Sequence, residues 1–160
     1  MTPEQARFLV FELKNAQKSF GAIFGSAVQL LEPIFKQRIF KEGKNTAGAP
    51  IGQYRSKRWK KKRTEKGLQI SYVDLKFTGG LQDSIKNRES KNSASLILPS
   101  SKYQAIAEYQ EDLQGSGAGV FEGFFGMEIF TVSESEEKQV SDYVEKQIIT
   151  YFDSILDSYT

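Results

Sequence analysis

Seven cations, Arg55, Lys57, Arg58, Lys60, Lys61, Lys62 and Arg63, fall within nine consecutive positions, with Trp59 among them. Charges packed this densely suit contact with phosphate or carboxylate groups, which they hold without reading a sequence. The plainer reading of such a run is a solvated face. Trp59 reads first as an anchor on the core or a neighbour, and second as a platform on which a base stacks. A cluster of opposite sign, Glu134, Glu136, Glu137, Asp142 and Glu145, is a candidate acidic partner surface. Its first members, at the start of a helix, also complement the helix dipole.

Chemistry beyond charge pairing has few groups to draw on. The chain has no histidine and no cysteine. That removes the usual general base near neutral pH, the Ser-His-Asp triad, imidazole and thiolate metal sites, and disulfides. No carboxylate pair is spaced for acid and base work, so no catalytic, cofactor or metal residue is nominated and no enzyme is expected. "GGLQDSI" lacks the lysine of a phosphate-binding P-loop and reads as a turn entering a strand. The opening "MTPEQARFLVFELK" carries acids and no cationic leader, so neither a signal peptide nor a membrane span is expected.

The 160 residues, 39% hydrophobic and 26% charged, suit a single domain over 1–160. The net charge of +2 conceals segregation, since residues 36–66 hold 12 Lys and Arg against two acids, whereas residues 108–160 hold 12 acids against two lysines. One molecule could neutralise itself, or neighbours could pair head to tail.

The elements that must position these charges are read from periodicity. Thr2-Pro3-Glu4 resembles a helix start. The glycines Gly21 and Gly25 leave open whether one bent helix or two follow, and Val28, Leu31, Phe35 and Ile39 carry the pattern to an end near Gly43, with Pro33 either kinking the helix or beginning its last segment. Residues 43–67, polar and Gly-punctuated, read as an extended basic loop or arm. Ile70, Tyr72 and Val73 suggest a short strand or helix entry. A hairpin is expected around Ser90 to Asn92, with Ala94–Leu98 as its second strand, then a short helix from Ser101 to Gly115. A strand over Phe124–Thr131 is expected to complete the sheet. Ser133 and Glu136 make a capping-box pattern ahead of an apolar stripe, Val140, Val144, Ile148, Tyr151, Phe152 and Ile155. The fold class is α+β: a long N-terminal helical region and a C-terminal helix on a small, mostly antiparallel sheet.

With these residues placed, the order of the phrases resembles the virion morphogenesis and tail-completion proteins, the small neck proteins of tailed bacteriophages. In that family a helix ends in "F..G....G", an aromatic follows in a basic stretch, and "L..TG.L..SI" comes next. Here these are Phe40, Gly43 and Gly48, then Trp59, then Leu75, Thr78, Gly79, Leu81, Ser84 and Ile85. The later phrases are similar to "IAEYQEDLQG" and "FFGMEIFTVSESEEKQV", so the resemblance spans about residues 35–150. Two departures stand out: Tyr109-Gln110-Glu111 where the family has a "HqfG"-like phrase, and the additional glycine in Gly79-Gly80.

The resemblance implies a structural virion protein of the neck or head-proximal tail end, acting in tail completion and head-tail joining. It implies a homo-oligomeric ring, other phage neck or tail proteins as partners, synthesis in the host bacterial cytoplasm, and no cofactor. In such a ring the 43–67 arm could lie across the neighbour, or face the lumen, where its cations would make non-specific contact with DNA phosphates. The alternative is a small nucleic-acid-binding protein that uses the basic arm, with Tyr54 and Trp59 as stacking residues.

Overall fold

The buried stripe of the first helix, α1 (Pro3–Phe40), organises the molecule. Ala27, Val28, Leu31, Phe35 and Ile39 follow one another at helical spacing and are all buried. In this computed structural model, which describes residues 3–90, 93–116, 121–122 and 128–157, α1 is one continuous helix and not two. Pro33 sits inside it on the exposed side. Proline supplies no N–H to the helical ladder. Leu31 and Phe35 flank it in the core and hold the helix through that position. Thr2, expected as the cap, lies outside the described residues.

α1 ends at Phe40, a little before Gly43, where the backbone turns left-handed at φ 64°. The Lys44 N–H reaches back to the Arg38 carbonyl at 2.9 Å and closes the turn. A Cβ at Gly43 would overlap the Val73 carbonyl oxygen and the Tyr72 ring, so glycine is required there for both conformation and space.

Three segments then depart from expectation. Residues 43–67 are not an extended loop throughout: they hold a two-residue strand, β1 (Gln53–Tyr54), and a nine-residue helix, α2 (Lys57–Glu65). Lys, Arg and Glu, good helix formers, take seven of the nine positions of 57–65, and Ser56 caps them by accepting a bond from the Trp59 N–H at 3.2 Å. "GGLQDS" enters a short helix, α3 (Gly80–Ser84), and not directly a strand. Gly79, at φ 84°, is its cap, and a Cβ at Gly80 would overlap the Tyr103 hydroxyl. Ile70, Tyr72 and Val73 belong to no strand or helix.

The expected hairpin is present as β2 (Lys86–Ser90) and β3 (Ser93–Ile97), antiparallel with Lys86 opposite Ile97. Next comes α4 (Ser101–Ser116). A short strand, β4 (Phe121–Glu122), pairs antiparallel with β1, so the described residues hold two separate two-stranded sheets where one was expected. The strand expected over Phe124–Thr131 lies partly outside the described residues, and its described end, 128–131, is irregular.

The final helix, α5 (Glu134–Asp157), is opened by the expected capping box. The Ser133 N–H donates to Glu136 Oε2 at 2.8 Å, and the Glu136 N–H donates to Ser133 Oγ at 3.3 Å. α5 runs antiparallel to α1: Phe20 meets Tyr151 and Phe152 edge-on at one end, while Arg38 meets Glu136 at the other. One hydrophobic cluster joins Leu31, Phe35, Ile39 and Phe40 of α1 to Ile51, Tyr54, Val73, Leu81, Ile85 and Ile129. The fold is α+β, and among the described residues no helix is long and apolar enough to cross a membrane.

Candidate functional site

Elementary electrostatics disfavours α2 as a free helix. Lys57 and Arg58 stand at the positive end of its dipole, no acid occupies its first turn, and Lys57/Lys61 and Arg58/Lys62 are like-charge pairs four residues apart. Its stability must come from the face turned inward. Trp59 and Arg63, one turn apart, supply that face.

Trp59 stacks on Phe77 with ring centroids 4.5 Å apart, and Lys66 covers the same Phe77 ring at 5.1 Å. Arg63 is 1% exposed. Its Nη2 donates to both oxygens of Asp74, at 2.8 and 2.9 Å. Its Nε donates to the Gln69 carbonyl at 2.8 Å and Nη1 to the Lys76 carbonyl at 2.5 Å, while the guanidinium carbon lies 4.4 Å above the Tyr54 ring. Asp74 also accepts from the Tyr54 hydroxyl at 3.0 Å. Burial first, and then the Asp74 carboxylate, push the Tyr54 hydroxyl well above its ordinary range.

The basic run is therefore sorted by helical geometry. Arg55, Lys57, Arg58, Lys61 and Lys62 are exposed, and Lys60 is half-buried. Arg63, expected with them as a contact for phosphate or a neighbour, is instead an internal staple, because α2 turns that position onto Asp74. Trp59 anchors to the core, as its first reading had it, but from a helix and not from a loop. Tyr54 is 5% exposed beneath Arg63, so neither aromatic is offered to a base.

On the acidic side, Glu134, Glu137, Asp142 and Glu145 are exposed along α5. Glu136 is a correction: it is 2% exposed and takes no part in an outer surface. Its carboxylate completes the capping box and accepts from Arg38 Nε at 2.8 Å, while the other Arg38 nitrogens hold the carbonyls of Lys44, Ile129 and Thr131. Beside this pair lies a polar hollow of about 1030 Å³, between the end of α1, the 44–48 turn and the start of α5. A more apolar groove of about 740 Å³ runs between α1 and α5, lined by Phe24, Val28, Val140, Val144 and Ile148.

Arg38 and Asp74 are the site residues that sequence reasoning passed over, and Tyr54, read as a stacking residue, is instead a buried partner of Asp74 and Arg63. Asp74 had a signal, being the one acid between Glu65 and Asp83. Among the described residues no group of three or more acids could hold a metal ion. Comparison with protein families, with curated proteins and with solved structures finds no match.

Proposed function

We propose that the chain is a structural protein of a tailed-bacteriophage virion, placed at the neck or the head-proximal end of the tail, where copies join into a ring. The observation that carries this reading is the convergence of the phrases on which the resemblance rests. Phe40, Leu81 and Ile85 share one core cluster, Trp59 and Leu75 pack against it, and Gly43 lies against Tyr72 and Val73. Phrases more than 40 positions apart in the chain thus build one structural unit around the end of α1.

The distribution of polar groups supports a binding role over a catalytic one. Arg38, Arg63, Asp74 and Glu136 are engaged in internal pairs, while the outer faces of α2 and α5 display exposed cations and exposed acids respectively. Exposed acids along α5 and the apolar groove beside it are surfaces suited to a neighbouring copy. A contact between unlike surfaces closes into a ring when the rotation per copy allows.

Mass photometry and negative-stain imaging across concentration and salt, with and without tail tubes of the encoding phage, test the reading. Discrete rings, free or seated on tube ends, are expected. A strict monomer that ignores the tubes at every salt concentration refutes it.

A further inference from the structure

The geometry points to the outer face of α2 as a sequence-independent binding surface for the phosphate backbone of nucleic acid. This holds whether or not the chain forms a ring. Taking Trp59 and Arg63 as the inward positions, Lys61 lies diametrically opposite them. Lys57, Arg58 and Lys62 complete an arc of roughly 140° around the helix at 3.6 residues per turn. All four are exposed, and none forms an ion pair with a described residue. The one acid on that face is Glu65, at its C-terminal edge.

Three features select the partner. The face is held against its own repulsion by the Arg63 staple and the Trp59–Phe77 stack, so the helix is formed before binding and no backbone ordering is needed to present the cations. It offers no apolar side chain outward, since Trp59 is turned in, and a helix that lies on lipid needs one. Tyr54 and Trp59 are both occupied internally, which leaves no stacking platform and no means of reading bases. What remains is a set of cations about one helical turn apart, suited to successive phosphates.

The test is fluorescence anisotropy with two labelled duplexes of about 20 base pairs and unrelated sequence, titrated between about 50 and 200 mM salt, conditions over which phosphate contacts weaken measurably. Native protein is compared with the variant Lys57→Gln/Arg58→Gln/Lys61→Gln/Lys62→Gln and with the control Lys138→Gln/Lys146→Gln on α5. Unchanged Trp59 emission and melting confirm that each variant is folded. The native protein is expected to bind both duplexes equally, with log affinity falling against log salt with a slope of about −3.6 for four contacts, a loss on the order of 10²-fold across the range. The α2 variant is expected to lose that slope and the binding, and the α5 control to keep both.

Equal binding by the α2 variant overturns the inference, as does a marked preference between the duplexes. So does native protein that leaves the duplexes free but sediments as an oligomer that the α2 variant cannot form, which would assign the face to a second copy. Capture by phosphatidylserine vesicles in place of duplex overturns it in favour of a membrane.

Discussion

Replacing Arg63 by methionine tests whether one member of a solvent-facing basic run is a structural staple. Methionine keeps much of the buried volume and removes the guanidinium, leaving the Asp74 carboxylate, 4% exposed, with only the Tyr54 hydroxyl and the Lys76 N–H as donors. The carbonyls of Gln69 and Lys76 lose their partner at the same time. Breaking a buried ion pair from one side costs about 3–5 kcal/mol, whereas a surface lysine or arginine replaced in the same way shifts stability by about 0.5 kcal/mol or less. In a domain of this size that is a fall in melting temperature of about 6–20 °C. The assay is urea unfolding followed by tryptophan fluorescence, which is specific here because Trp59 is the only tryptophan and stacks one turn from Arg63. Lys62→Met serves as the surface control. Asp74→Asn keeps an acceptor for Tyr54, so the double variant Arg63→Met/Asp74→Asn is expected to lose less than the sum of the single losses, with a coupling of about 1–3 kcal/mol. A loss at Arg63 no larger than that at Lys62, or strictly additive singles, would refute the staple.

Two further outcomes follow from the same geometry. Gly43→Ala is expected to cost about 2–4 kcal/mol, combining left-handed strain with the overlap on Val73 and Tyr72, while Gly48→Ala, at φ 76° in open space, costs only the strain of about 1–2 kcal/mol; chemical denaturation of both separates the two effects. Because folding raises the Tyr54 hydroxyl above its ordinary value of 10.0, the unfolded chain releases that proton first, so this contribution to stability is full below pH 10.0 and is lost as pH rises beyond it. Native protein should then lose about 1.4 kcal/mol per pH unit relative to Tyr54→Phe, and parallel stability curves for the two proteins above that pH would show that Tyr54 ionises freely.

Elements with strong periodicity were legible from the chain alone. The stripe from Val28 to Ile39 and the Ser133–Glu136 box name their helices because each pattern belongs to a single local structure. Residues 43–67 misled because charge density and glycine outweighed a helical reading of 57–65. Only that reading puts Trp59 and Arg63 on one side, and so separates the buried cation from its exposed neighbours. Glu136 misled for a related reason: a capping box predicts its bond to the Ser133 N–H but says nothing of Arg38, 98 positions away, which arrives only when α1 and α5 pack. The pairing of β1 with β4 was not legible at all, since two residues carry no alternation from which a strand could be recognised.

Arg38 and Arg63, the arginines buried among the described residues, reach from helices into segments that lack regular structure, and this accounts for their selection. Residues 66–79 and 128–133 contain no strand or described helix, yet they pass close to the core, where a carbonyl without a donor is costly. A sheet would satisfy those carbonyls through a ladder, but the sheets among the described residues have only two strands each. Arg63 donates to Gln69 and Lys76 across the first segment, and Arg38 donates to Ile129 and Thr131 across the second. Each guanidinium replaces several ladder bonds with one rigid fork, and Asp74 or Glu136 neutralises the charge that is buried with it. Lysine could not substitute at either place, because its single nitrogen cannot span carbonyls several residues apart while also meeting a carboxylate. The basic run is thus divided by the turn of a helix: inward, Arg63 fixes the loop that supports α2, and outward, Lys57, Arg58, Lys61 and Lys62 are left exposed on the helix so supported.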